Sequence, residues 1–115
     1  MIRVAVPIFK SRISPVFDTC TRVLVIDFDQ GREIQREEIY LDKFSLSERV
    51  PILQNLQVTT FICGGISEVF HKMLRTSGNR LITGIAGEVE EILAAFLSDR
   101  LYEPQFQMPG YKTKK

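Results

Sequence analysis

The run Phe61-Ile62-Cys63-Gly64-Gly65-Ile66-Ser67 joins an apolar segment, Val58 to Ile62, to a segment with helical periodicity. That is the pattern of a buried parallel strand that turns directly into a helix. Two consecutive glycines let backbone approach closely, which a bare turn seldom needs twice in a row. A thiol at the end of such a strand sits on the rim where α/β proteins hold their ligands.

Outward from this run, the order of elements follows from local patterns. Ile2 to Ile8 is apolar nearly throughout, as in a central strand, and Pro7 is expected to end its pairing. Phe9 to Thr21 reads as a long loop. Val23 to Phe28 is a second strand, Asp29-Gln30-Gly31 a turn, and Glu33 to Leu41 a third strand charged like a protected edge. Ser45 and Glu48 form a possible capping box. Pro51 then implies a helix that starts later or bends in its first turn. Ile66, Val69, Phe70, Met73 and Leu74 lie on one helix face, with Gly78 as the stop. Arg80 to Thr83 is a short strand, and Val89, Ile92, Leu93, Phe96 and Leu97 repeat the helical template.

The resulting order is β-β-β-α-β-α-β-α. It predicts an α/β, single-domain, ribonuclease-H-like three-layer fold around a five-stranded mixed sheet. Strands one, four and five run parallel through helical crossovers. The loops Phe9–Thr21, Cys63–Ser67 and Thr83–Glu88 then meet on one rim.

The chain has 115 residues, 44% hydrophobic and 25% charged, with a formal net charge of +1. One domain over residues 1–110 and a flexible basic tail at 111–115 are expected. The near-neutral balance argues against nucleic-acid or membrane partners. Met1 leads straight into a strand, without a signal or membrane segment, so a cytoplasmic protein is expected. Cys20 and Cys63 suit a reducing compartment. With His71 they are too few for a closed zinc site, and zinc spacings are absent.

Several segments together resemble the dinitrogenase iron–molybdenum cofactor biosynthesis family, the NifX-like domain also found at the C-terminus of NifB. They are Ile2-Arg3-Val4-Ala5-Val6-Pro7, Ile13-Ser14-Pro15-Val16-Phe17-Asp18 and Val23-Leu24-Val25-Ile26-Asp27. Further along come Ile62-Cys63-Gly64-Gly65-Ile66-Ser67, Gly84-Ile85-Ala86-Gly87-Glu88-Val89 and Phe106-Gln107-Met108-Pro109-Gly110. The resemblance implies a role in nitrogen fixation: carriage of an iron–sulfur or iron–molybdenum cluster, or its precursor, without turnover. It implies cluster-donor or acceptor proteins as partners. The ligand positions would be Ser14, Phe17, Asp18, Cys20, Cys63, Gly64, Gly65, Ser67, Gly84 and Gly87. Two positions depart from the family: Val16 stands where many relatives have histidine, and Tyr111 where some have cysteine.

Each of these residues has two readings. Cys63 is a metal ligand as thiolate, or a small buried apolar side chain. Cys20 faces it across the rim, where two thiolates and Asp18 make a partial iron shell, or is an unpaired loop cysteine. Asp18 alternatively braces its own loop. Gly64 and Gly65 offer amides to an anion at a helix start, or allow tight strand–helix packing. Arg12 and Arg22 balance an anionic cluster, or are solvated. Phe9 and Phe17 anchor the loop. Glu88, Glu90 and Glu91 crowd the last helix start and disfavour a phosphate at Gly84–Gly87. With few ligands per chain, a cluster would bridge a homodimer. The alternative is a ligand- or protein-interaction module that has lost its cluster. A two-metal nuclease needs clustered carboxylates, which the first strand lacks.

Overall fold

The computed structural model describes residues 1–75 and 78–109. Gly110, Tyr111 and the basic tail at 111–115 lie outside the described residues. Among the described residues, six strands and three helices follow one another as β1 (Ile2–Phe9), β2 (Arg12–Ile13), β3 (Arg22–Asp29), β4 (Arg32–Tyr40), α1 (Leu46–Asn55), β5 (Thr60–Ile62), α2 (Glu68–Arg75), β6 (Arg80–Ile82) and α3 (Val89–Leu97). A short 3₁₀ turn, Pro104–Phe106, follows.

The sheet runs β4-β3-β1-β5-β6, with β2 paired to β1. β1, β5 and β6 are parallel, and β3 and β4 form the antiparallel ribbon. The sheet thus has one strand more than the five expected. Arg12-Ile13, read as loop, folds back on Ile8 and Phe9 as β2. Two residues are too few for a periodic signal. Pro7 does not end β1: it lies beyond the last β5 pair and stays in register with Val23, and the strand continues to Phe9.

Two-residue alternation divides the core into two layers. Val4, Val6, Ile8, Leu24, Ile26, Phe28 and Ile62 pack under α3 with Val89, Ile92 and Leu93. Ala5, Val23, Val25, Phe61 and Cys63 face the other way, onto Leu53 of α1 and Phe70 and Leu74 of α2. β4 is exposed along nearly its whole length, and its charges keep this edge from pairing. Arg36 on it joins Glu33 and reaches Glu90 of α3 at 2.6 Å. The β3–β4 hairpin turns on Gln30 and Gly31, both with positive φ (52° and 76°). That matches the twist of a two-residue hairpin.

α1 begins at Leu46 and carries Pro51 inside it, so the helix starts neither late nor after the proline. The Glu48 carboxylate accepts the Ser45 N–H at 2.8 Å, which fixes the start upstream of Pro51. On α2 the buried stripe is narrower than its periodicity suggests. Phe70 and Leu74 are buried, whereas Val69 and Met73 are exposed and Ile66 precedes the helix.

Candidate functional site

The three predicted loops do converge, and main-chain bonds hold them together. Gly65 donates to the Pro15 carbonyl, and Phe17 donates back to Gly65, both at 2.8 Å. Gly84 and Ile85 donate to Gly64 and Cys63 at 2.9 and 3.0 Å. Ile13 donates to Gly87 (3.0 Å), Val89 to Ser11 (2.8 Å) and Ser14 to Pro7 (2.9 Å). The C-terminal stretch joins the far side, where Ala86 donates to Phe106 and Met108 to Gly84, each at 2.9 Å. Beyond the strand ends the sheet therefore continues as a narrow backbone ladder.

This ladder decides the role of the double glycine. A Cβ on Gly64 would stand 3.0 to 3.2 Å from the carbonyl oxygens of Ser14, Pro15 and Ile85, and one on Gly65 would be 3.0 Å from that of Pro15. Only glycine lets these main chains approach so closely. The Gly65 and Gly84 amides are spent on neighbouring loops, so they are not open to an anion. Close packing accounts for a glycine at both positions.

Cys63 follows Phe61 by two residues and so shares its face of the sheet. It is fully buried, and Cys20 is 4% exposed; both belong to the apolar cluster with Phe17, Phe61 and Phe70. The two thiols therefore lie beneath the rim rather than facing each other across its surface. Burial, then the charges of Asp18 and Cys20, push the Cys63 thiol up to about 12. Burial likewise raises Cys20 to about 11; Arg49 opposes this and Asp18 adds to it. Both are protonated near neutral pH. Among the described residues, no three His, Cys, Asp or Glu side chains are grouped to hold a metal ion.

Phe17 anchors the loop, fully buried, with ring centroids 5.1 Å from Phe70 and 5.9 Å from Phe61. Burying that ring contributes roughly 2–3 kcal/mol. Phe9 does not act as an anchor: it is 59% exposed, with the Lys10 ammonium over its ring. Asp18 braces the neighbouring loop instead of its own. Its carboxylate accepts the Ser67 N–H at 2.8 Å and also the Ser67 hydroxyl. The Ser67 oxygen in turn accepts the Phe70 N–H at 3.1 Å, capping α2. Ser14 is buried, and its hydroxyl donates to the Val16 carbonyl at 3.2 Å.

The arginines expected to offset an anion have carboxylate partners. Arg12 pairs with Glu88 and Arg22 with Glu38, at 3.0 and 3.1 Å. The cation beside Cys20 is Arg49 of α1, which the sequence reading missed. It is buried, and its guanidinium donates to the carbonyls of Phe44 (3.0 Å), Asp18 (3.0 Å) and Cys20 (2.6 Å). Among the described residues it makes no ion pair. The available signal was its place four residues before Leu53, on the buried helix face.

A cavity of about 810 Å³ opens elsewhere, between β6, the end of α3 and the 101–109 segment. Arg80, Ile82, Ile85, Phe96, Leu101 and Tyr102 line it. Its apolar walls belong to the α3-side layer, on the opposite face of the sheet from the thiols.

The architecture is thus a mixed α/β sheet whose parallel strand ends carry a laced three-loop rim over two buried cysteines. The chain belongs to the dinitrogenase iron-molybdenum cofactor family, whose model matches residues 1–99. No curated protein matches it. Among solved structures it is similar to PH0822, with a TM-score of 0.80 at 16% identity over 86% of this chain and 91% of that one. It is also similar to mj0327 of Methanocaldococcus jannaschii, with a TM-score of 0.73 at 21% identity over 86% and 90%. A third is the apo form of the orange protein from Desulfovibrio gigas, with a TM-score of 0.72 at 16% identity over 99% and 98%. At these identities the likeness is one of fold. Among the described residues no helix is long and apolar enough to cross a membrane.

Proposed function

We propose that this protein is a non-catalytic cytoplasmic carrier of an iron–sulfur or iron–molybdenum cluster, or of its precursor. Cys63 and Cys20, beneath the rim, are its ligands. The observation that carries this reading is that both thiols sit in one packed cluster beneath the three-loop rim. Family membership supports the cargo. The buried carboxylate of β3, Asp27, is committed to Arg3 at 2.6 Å. The cluster is cargo: thiolates hold its iron, and cluster-donor or acceptor proteins supply and receive it. Uptake requires the thiols to become accessible and to lose their protons. Val16 supplies no donor where many relatives have histidine, so a second copy of the chain completes the shell.

The Gly65 and Gly84 amides, spent on neighbouring loops, favour a second reading, an interaction module that no longer binds a cluster. One sample separates the two. Anaerobic reconstitution with iron and sulfide should give visible absorbance that Cys63→Ala abolishes, and native mass should show a dimer only with iron bound. A colourless, iron-free protein whose mass is indifferent to iron would favour the interaction module.

A further inference from the structure

We propose that the Asp18–Ser67 contact is a latch that gates the buried Cys20–Cys63 pair, shielding both thiols when shut and admitting solutes when released. This goes beyond the cluster reading and does not depend on what the thiols bind.

The 14–18 loop and the 63–67 loop are laced by the two main-chain bonds between Gly65 and Pro15 or Phe17. Those bonds are main-chain and do not involve the Asp18 carboxylate. The Asp18 carboxylate on Ser67 is the side-chain link between the same loops, and its end at Ser67 is exposed to solvent. It holds more than the loop. The Ser67 oxygen caps α2 through Phe70, whose ring packs on Phe17 over the same cluster that contains both thiols. Releasing Asp18 therefore loosens the loop, the α2 cap and the Phe17–Phe70 contact together.

The opposite side is built to stay. Arg49 grips the Asp18 and Cys20 carbonyls from within the core. The loop thus has a fixed side at Arg49 and a releasable side at Ser67. Asp18 also lies close enough for its charge to act on both thiols.

The test uses the reduced full-length protein and the thiol reagent 5,5′-dithiobis(2-nitrobenzoate) at fixed pH. Amide hydrogen exchange is recorded on the same samples. Wild type should react slowly at both cysteines. Asp18→Ala and Ser67→Ala should each react at least tenfold faster, with faster exchange confined to the Phe17, Gly65, Ser67 and Phe70 amides. Glu88→Ala cuts the ties to Ser11 and to Arg12 of β2, away from the latch, and should leave the rate unchanged. Unchanged labelling in both latch variants would overturn the proposal. So would acceleration matched by equal exchange gains at Val25 and Ile26 in the sheet centre, because that pattern is general unfolding. A protein that never binds a cluster can still pass, so failure of the gate and failure of the cargo reading are separate results.

Discussion

At Asp27 a single side chain carries a measurable share of the acid stability. Its carboxylate is buried and takes two hydrogen bonds from the Arg3 guanidinium, at 2.6 and 3.0 Å. Arg3 also donates to the Leu56 carbonyl at 2.7 Å, tying the start of β1 to the end of α1. The hydrogen bond from Arg3 holds the Asp27 carboxyl below its usual range, against desolvation. A carboxyl lowered in the folded state adds stability above its unfolded pKa, about 3.9. That contribution is lost as pH falls through its lower folded value. Asp27→Asn should cost about 1–2 kcal/mol at pH 7, at the low end for a charged bond because Arg3 is partly exposed. In urea unfolding, the gap from wild type should close below about pH 4. A gap independent of pH would mean that packing, not charge, is what the substitution removes. Residue-scale facts of this kind were only partly legible. Cys63 has the same parity as Phe61, so its burial could be read from the strand. Arg49 joins carbonyls far away in sequence, and such bonds leave no local pattern.

Among the elements, the Cys63–Ser67 turn has the tightest steric demand. Gly64→Ala would press a methyl against three main-chain oxygens, none of which can rotate away. Overpacking of this sort costs typically 1–3 kcal/mol. Here it should also separate the loops, so amide exchange at Ile85 and Gly84 should rise more than in β3. A thermal midpoint equal to wild type would show that the rim yields without cost. The helices and long strands were legible because their periods repeat over two or more turns or several pleats. The capping pair Ser45 and Glu48 located the start of α1 more reliably than Pro51 did, since the proline is accommodated within the helix. β2 has no period to read. Its place comes from Ile13 donating to Gly87 and Arg12 pairing with Glu88, contacts between segments distant in the chain.

The whole molecule is organised so that topology, rather than sequence proximity, assembles the site. Parallel β1, β5 and β6 end on one side, and each end feeds a loop of the rim. That convergence was readable from the alternation of strands and helices alone. The depth of Cys20 was not, because it depends on how the loop that carries it packs with Phe17 into the core. Depth is what joins the two functional statements: a carrier whose ligands are buried needs a gate, and Asp18 with Ser67 supplies one. The direct test of the carrier claim is the iron and acid-labile sulfide bound per chain after anaerobic reconstitution, followed over time in wild type, Asp18→Ala and Cys63→Ala. The account predicts bound iron and sulfide in wild type, faster loading in Asp18→Ala and none in Cys63→Ala. Equal iron in wild type and Cys63→Ala, or no iron in Asp18→Ala with its thiols open, would contradict it.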